Sequence, residues 1–231
     1  MILSFNKIFP PEVLAFVSDA SVDFALDKCL NGFDPEQAAF LKSAPGCSPQ
    51  KVVNIKQVHG TTILCPEDGV PPFSEADGSI TKEKHVPIAV RTADCLSVFL
   101  FDPMTPAIGL VHAGWKGSRD GIAAKAVVLM QKKWGTRSPD VKVALGPCIR
   151  PCCYEVGKEF KAHFPKYVTE RDGRLYLDLP KVNTDQLVDL GVRRENIFDS
   201  ERCTCCDEKF FSYRRQGDKA GRMISVMMLR P

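Results

Sequence analysis

The stretch RTADCLSVFLFDPMTPAIGLVHAGWKG, residues 91–117, reads as two strands joined by a turn, with a chemically loaded residue at each end. Residues 96–101 are a short apolar run containing the β-favouring Val98, Phe99 and Phe101. Asp102-Pro103 and Thr105-Pro106 punctuate it as a turn, and residues 107–111 form a second apolar run. Cys95 precedes the first run and His112 follows the second. If the two strands pair antiparallel, the thiol and the imidazole finish on the same edge of the sheet. Such a pair suits either a metal site or a nucleophile with its base.

The composition bounds the rest. A chain of 231 residues can bury a substantial core as one large domain. Hydrophobic residues at 44% and charged residues at 26% are those of a soluble globular protein. The net charge of +3 is spread over both signs without a Lys/Arg tract, which argues against nucleic acid as a partner. The start, MILSFNKIFPPEVL, lacks the basic and apolar regions of a signal peptide, and no apolar run is long enough to span a bilayer. The expectation is a cytoplasmic protein with no membrane partner. There, thiols stay reduced, so the ten cysteines read as ligands, nucleophiles or buried small hydrophobes rather than as disulfides. Only four histidines are present, His59, His85, His112 and His163.

Working outward, residues 13–17 are a first strand. Asp34, Pro35 and Gln37 make a capping box at the start of a helix that Pro45-Gly46 ends. Residues 52–58 read as a strand ending at His59-Gly60, residues 66–73 as a Pro/Gly loop, and residues 76–81 as a return to strand. After His112, AGWKGSRDG is a Gly-rich turn, followed by a helix over 123–134. That helix start, with Lys116 and Arg119 in the turn, is expected to attract anions. Residues 141–145 read as a strand, 156–164 as a short helix, 175–177 as a strand, and Pro180 opens a helix ending near Gly191. The tail FFSYRRQGDKAGRMISVMML reads as two short strands across a polar turn. The expected fold is a single α+β domain over residues 1–231, with mixed central sheets flanked by helices.

His59 in QVHG, Cys95 in TADC and His112 in HAGWKG each follow or precede a β-like run. Two nitrogens and one sulfur suit zinc, and three protein ligands leave a fourth position open. Their spacing matches none of the compact zinc patterns.

Taken together, the motifs KQVHG, ADG-x-I-T, RTADCLSVFL, GLVHAGWKG, ALGPCI-x-PCCYEVG and FFSYRR resemble the YfiH/LACC1 family. Its members have been called multicopper polyphenol oxidases or laccases and, more recently, purine nucleoside phosphorylases. The resemblance implies a fold similar to the catalytic domain of a bacterial glutamine-deamidating toxin. It implies zinc, rather than copper, held by His59, Cys95 and His112. It also implies phosphorolysis of adenosine, inosine, guanosine and methylthioadenosine, and deamination of adenosine, with a purine nucleoside and phosphate as partners. A bacterial member has been linked to editing peptidoglycan precursors.

On this reading Cys95, His112 and Asp94 carry the chemistry, with Asp94 or Asp77 as the proton shuttle. Phosphate falls to Lys116, Arg119, Arg91 and Arg214, and Trp115 or Tyr213 stacks on the purine. The thiols Cys148, Cys152, Cys153, Cys203, Cys205 and Cys206 are expected to be buried structural groups, with a second zinc as the alternative. Cys29, Cys47 and Cys65 look incidental. Competing readings are a metal-free Cys95–His112 amidohydrolase, a laccase and a non-catalytic zinc-stabilised module. A multicopper cluster needs more imidazoles than four histidines supply, which removes the laccase.

Overall fold

A computed structural model describes residues 2–25, 27 and 32–231; Cys29 lies outside the described residues. In chain order the elements are β1 (Ile2–Ser4), β2 (Val13–Ser18), α1 (Pro35–Ser43), β3 (Ile63–Leu64), β4 (Gly78–Thr81), β5 (Ile88–Thr92), β6 (Leu96–Asp102) and β7 (Ala107–Ala113). Next come α2 (Trp115–Arg119), α3 (Ile122–Trp134), β8 (Lys142–Leu145), β9 (Glu155–Val156), α4 (Phe160–His163), β10 (Val168–Arg171) and β11 (Arg174–Leu177). The chain closes with α5 (Leu179–Asp189), β12 (Ile197–Asp199), α6 (Tyr213–Gln216) and β13 (Met223–Leu229). Among the described residues no helix is long and apolar enough to cross a membrane.

β6 and β7 pair antiparallel as the sequence suggests, from Leu96 opposite Ala113 to Asp102 opposite Ala107. They sit at the centre of a six-stranded sheet of order β12-β8-β6-β7-β4-β3, in which β12–β8 and β3–β4 are parallel pairs. A four-stranded sheet, β1-β2-β13-β5, packs against one face, and a three-stranded sheet, β10-β11-β9, contributes Leu177 to the core on the other.

Neither β6 nor β7 alternates in polarity because both faces are covered. The side-chain period of two still sorts the residues. Leu96, Val98 and Leu100 join Val111, α3 and α5 in one core. Phe99, Phe101, Ile108 and Leu110 meet Val13, Val17, Val90, Met223 and Met227 of the four-stranded sheet in a second. The outer face of that sheet, with Phe16, Ile224, Val226 and Met228, packs on Phe24 and on Leu41 of α1 in a third. The layers therefore run helix, sheet, sheet, helix. Asp34 caps α1 in a complete capping box with Gln37.

Several expectations fail for local reasons. Residues 52–58 form no strand: only the isolated bridges Val53–Ile88 and Lys56–Glu75 survive. The segment docks on the edge of β5 through a side chain instead. The Gln57 carboxamide donates to the Arg91 carbonyl at 2.8 Å and accepts from the Arg91 amide at 2.7 Å, standing in for ladder bonds. FFSYRR is not a strand, because Ser212 accepts from the Arg215 amide and caps the short helix α6. The helical part of 156–164 shrinks to α4. The helix expected over 123–134 forms as α3, whereas the turn expected before it carries the short helix α2, separated from α3 by Gly121, whose φ of 74° suits a residue without a side chain.

Candidate metal centre and cavity

His112 is the second-last residue of β7, opposite Ser97, and Cys95 immediately precedes β6. The turn before Cys95 places Asp94 at φ 88°, and its carbonyl accepts the Ile149 amide at 2.9 Å. His59 comes from the segment docked on β5 and sits at φ 58°. Such backbone costs on the order of 1 kcal/mol for a residue with a side chain and persists where its surroundings hold it. Asp77 does so. Its carboxylate accepts the amides of His59 at 2.9 Å and Gly60 at 2.6 Å, and that of Val58 at 3.3 Å.

The same carboxylate contacts His112 Nδ1 at 2.8 Å. With Nδ1 engaged, Nε2 is the nitrogen left to bind at the centre. Ligand atoms of His59, Cys95 and His112 all lie within 4.8 Å of one another. The two imidazoles meet edge to face, with ring centroids 4.8 Å apart. The group grades outward from buried His112 to exposed His59, so one side opens to solvent.

Gly114 keeps the space between the three side chains open. A Cβ there would lie 3.1 Å from Cys95 Sγ, 3.2 Å from His59 Cδ2 and 3.6 Å from His112 Cε1. A thiolate and two imidazoles fit a zinc-type ion with a fourth position free. The other two histidines lie elsewhere: His85 donates its amide to the Leu229 carbonyl, and His163 packs on Trp115 and Phe160. The coupled copper cluster of a laccase therefore lacks its ligands here.

The electrostatics match a ligand set. Burial alone would raise the pKa of Cys95, but the His112 and His59 imidazoles bring it down to about 6. Burial would lower that of His112, but the Cys95 sulfur and the Asp77 carboxylate raise it to about 9. Asp77 is held below the usual carboxylate range against its own burial by His112 and the Gly60 and Val58 amides.

The centre opens into a cavity of about 540 Å³. Gln57, Arg91, Asp94, Tyr154, Leu179, Tyr213, Arg214 and Arg222 line it beside the three candidate ligands. This size suits a small organic substrate. Asp94 spends both oxygens on structure, accepting the Thr204 hydroxyl and the Arg214 amide, each at 2.6 Å. The Arg214 guanidinium donates to the carbonyls of Cys153 and Glu155 and lies 5.6 Å from the Tyr154 ring centroid.

Of the residues singled out in the sequence, His59, Cys95, Asp94, His112, Arg91, Arg214 and Tyr213 share this cavity. Asp77, expected to contact substrate, instead lies behind His112, fully buried, and is not among the residues lining the cavity. Trp115 packs on Phe160 at 5.1 Å, with Lys116 and Arg119 over its ring, and none of these three lines the cavity. The helix start expected to attract anions opens α2, a five-residue helix packed on α5 and set away from the cavity. Sequence reading passed over Tyr154 and Gln57 although PCCYEVG and KQVHG contain them.

The family model described as multi-copper polyphenol oxidoreductase laccase matches residues 36–230. A purine nucleoside phosphorylase of Aquifex aeolicus is 36% identical over 173 residues, covering 75% of this chain and 81% of its own. YlmD of Geobacillus stearothermophilus, also named a purine nucleoside phosphorylase, is 36% identical over 198 residues, covering 77% and 72%. Among solved structures, YfiH of Bacillus licheniformis superposes with a TM-score of 0.87 at 26% identity, covering 99% of this chain and 96% of that one. The structure of YlmD superposes with a TM-score of 0.85 at 29% identity, covering 96% and 93%. With a family model matched over most of the sequence and relatives alike along most of their length, the chain belongs to the YfiH/LACC1 family, whose model carries the laccase description.

Proposed function

We propose that this protein is a zinc-dependent purine nucleoside phosphorylase acting on adenosine, inosine, guanosine and methylthioadenosine, with adenosine deaminase activity at the same centre. The observation that carries the reading is the His59–Cys95–His112 group opening into a cavity walled by Arg91, Arg214 and Tyr154. The names borne by the Aquifex and Geobacillus relatives support it. So does the chemistry of the wall. Two guanidinium groups favour a phosphate, and an aromatic ring offers a purine a stacking face.

Zinc, when bound, supplies Lewis-acid polarisation at an open position. In phosphorolysis a phosphate oxygen bonds to the ribose anomeric carbon, the bond from that carbon to the purine nitrogen breaks, and the purine takes up a proton. Tyr154 is suited to give that proton. Burial and the nearby Cys95 sulfur push its pKa above the ordinary tyrosine value and keep it protonated. Asp94, named as a shuttle on sequence grounds, acts instead as the brace between Thr204 and the Arg214 amide.

A second reading has one observation in its favour. The Cys95 sulfur and a His112 ring nitrogen lie within 4.8 Å of each other, and each favours the charged form of the other, as a Cys–His amidohydrolase needs of its nucleophile and base.

The test incubates metal-analysed protein with adenosine, with and without phosphate, and separates the products. Adenine formed only with phosphate supports phosphorolysis, and inosine supports deamination. Amide hydrolysis by metal-stripped protein, with no nucleoside turnover by zinc-loaded protein, favours the second reading.

A further inference from the structure

The ten cysteines are far more than one metal centre uses. The structure separates those of the two late clusters. Cys148 is fully buried in the helix-side core, where burial pushes its pKa up. Four others gather where the surface meets the interior, with Cys152 and Cys206 exposed, Cys153 half-buried and Cys203 buried. Ligand atoms of Cys152, Cys153, Cys203 and Cys206 all lie within 4.8 Å of one another. The sulfurs of Cys152 and Cys206 are 3.7 Å apart, and those of Cys153 and Cys206 are 3.2 Å apart. Four thiolates around zinc at about 2.3 Å require edges of roughly 3.8 Å, so small shifts close this set on an ion.

Two tight turns supply the four thiols. One runs from Arg150, whose carbonyl accepts the amides of Cys153 and Tyr154 at 2.8 Å each. The other starts at Cys203, whose carbonyl accepts the Asp207 amide at 2.9 Å. The Cys203-x-x-Cys206 spacing is a usual two-ligand unit of structural zinc sites.

The surroundings balance charge as well. Four thiolates on a divalent cation leave two negative charges. The guanidinium of Arg171 donates to the Cys152 carbonyl, that of Arg214 to the Cys153 carbonyl and that of Arg215 to the Cys205 carbonyl. Three cations are thus anchored on the turns that hold the sulfurs.

We propose that Cys152, Cys153, Cys203 and Cys206 bind a second, structural zinc ion, separate from the His59–Cys95–His112 centre. Four protein ligands leave no open position, so this site does no chemistry. It staples the turn that leads into Tyr154, which lines the cavity, to the turn that braces Asp94, which lines it too. Tyr154 follows Cys153 directly. Thr204 follows Cys203 and holds Asp94, the neighbour of Cys95, at 2.6 Å.

The test measures metal content by plasma mass spectrometry on full-length protein purified under reducing conditions, together with cobalt substitution. Cys206→Ser and Cys152→Ser are expected to lose one equivalent of zinc and the intense thiolate-to-cobalt absorption of a four-sulfur site. Cys95→Ser is expected to keep that absorption, and Cys205→Ser to keep all the metal of the parent. Because Cys95→Ser removes only the other centre, failure of that centre to bind zinc leaves this result intact. The idea is overturned if the cobalt band vanishes in Cys95→Ser but survives in both Cys206→Ser and Cys152→Ser. It is equally overturned if reduced, zinc-supplied protein holds no thiol-bound metal, or carries a Cys153–Cys206 disulfide instead.

Discussion

Asp77 Oδ1 stands 2.8 Å from His112 Nδ1, and the same carboxylate gathers the amides of Val58, His59 and Gly60. One buried acid therefore aims one imidazole and fixes the backbone of the other. Asp77→Asn keeps an acceptor of the same shape but loses the charge that favours His112 with its proton on Nδ1. Zinc affinity at the His59–Cys95–His112 centre is expected to fall about 10–100-fold, the usual cost of such a partner. Competition titration against a chromophoric chelator measures it. Unchanged affinity would mean that Asp77 is structural only.

Gly114 gives an independent check of the same centre. Its φ of −68° is ordinary, so Gly114→Ala adds no backbone strain. The added methyl does press on Cys95 and His59, at 3.1 and 3.2 Å, and comes into ordinary contact with His112. The variant is expected to fold with nearly unchanged secondary structure while losing zinc from this centre. Circular dichroism and metal analysis separate the two effects. Full zinc occupancy in Gly114→Ala would show that the ligands converge elsewhere.

Asp102 ends β6 and is fully buried. Its carboxylate accepts the amides of Met104 and Thr105 and the Thr105 hydroxyl, closing the turn that aligns β6 with β7. Burial alone would raise its pKa, but the Thr105 and Thr136 hydroxyls and the two amides hold it below the usual 3.8. A depressed folded value means that this stabilisation is full above the unfolded pKa and is lost as pH falls through the folded one. Asp102→Ala is expected to cost about 1–3 kcal/mol at neutral pH by leaving buried donors unpaired. The gap from the parent should narrow below about pH 4. Urea melts at several pH values test this, and a gap that widens on acidification would contradict it.

The hairpin was legible because its two apolar runs are broken by Asp-Pro and Thr-Pro, and because burial on both faces makes such runs continuous. That register put Cys95 and His112 on one sheet edge, while their role as ligands came from the family resemblance. His59 was harder to place. Its approach segment pairs through the Gln57 side chain, which leaves no period of two to read. Asp77 was visible as a polar residue before a strand, but not as the clasp behind His112, since that contact joins segments 35 residues apart. Trp115 and Lys116 adjoin HAGW in sequence yet do not line the cavity. The one-turn α2 carries them to the Phe160 side of the molecule instead. The four-thiol group depends on two separate turns meeting, which no periodicity announces.

Tyr154 offers the sharpest test of the proposed chemistry. It lines the cavity with Cys95, and its pKa is raised by burial and by the Cys95 sulfur. Tyr154→Phe keeps the ring, its contact with the Arg214 guanidinium and the packing, and removes only the hydroxyl. If that hydroxyl protonates the departing purine, kcat for phosphorolysis should fall about 10²–10⁴-fold, the range typical of a lost general acid. KM and zinc content should stay near those of the parent. A nucleoside analogue whose leaving group needs no proton should recover most of the rate in the variant. A rise in KM with kcat unchanged would instead assign Tyr154 to purine binding alone, because an interaction made equally in ground and transition states does not alter the chemical step.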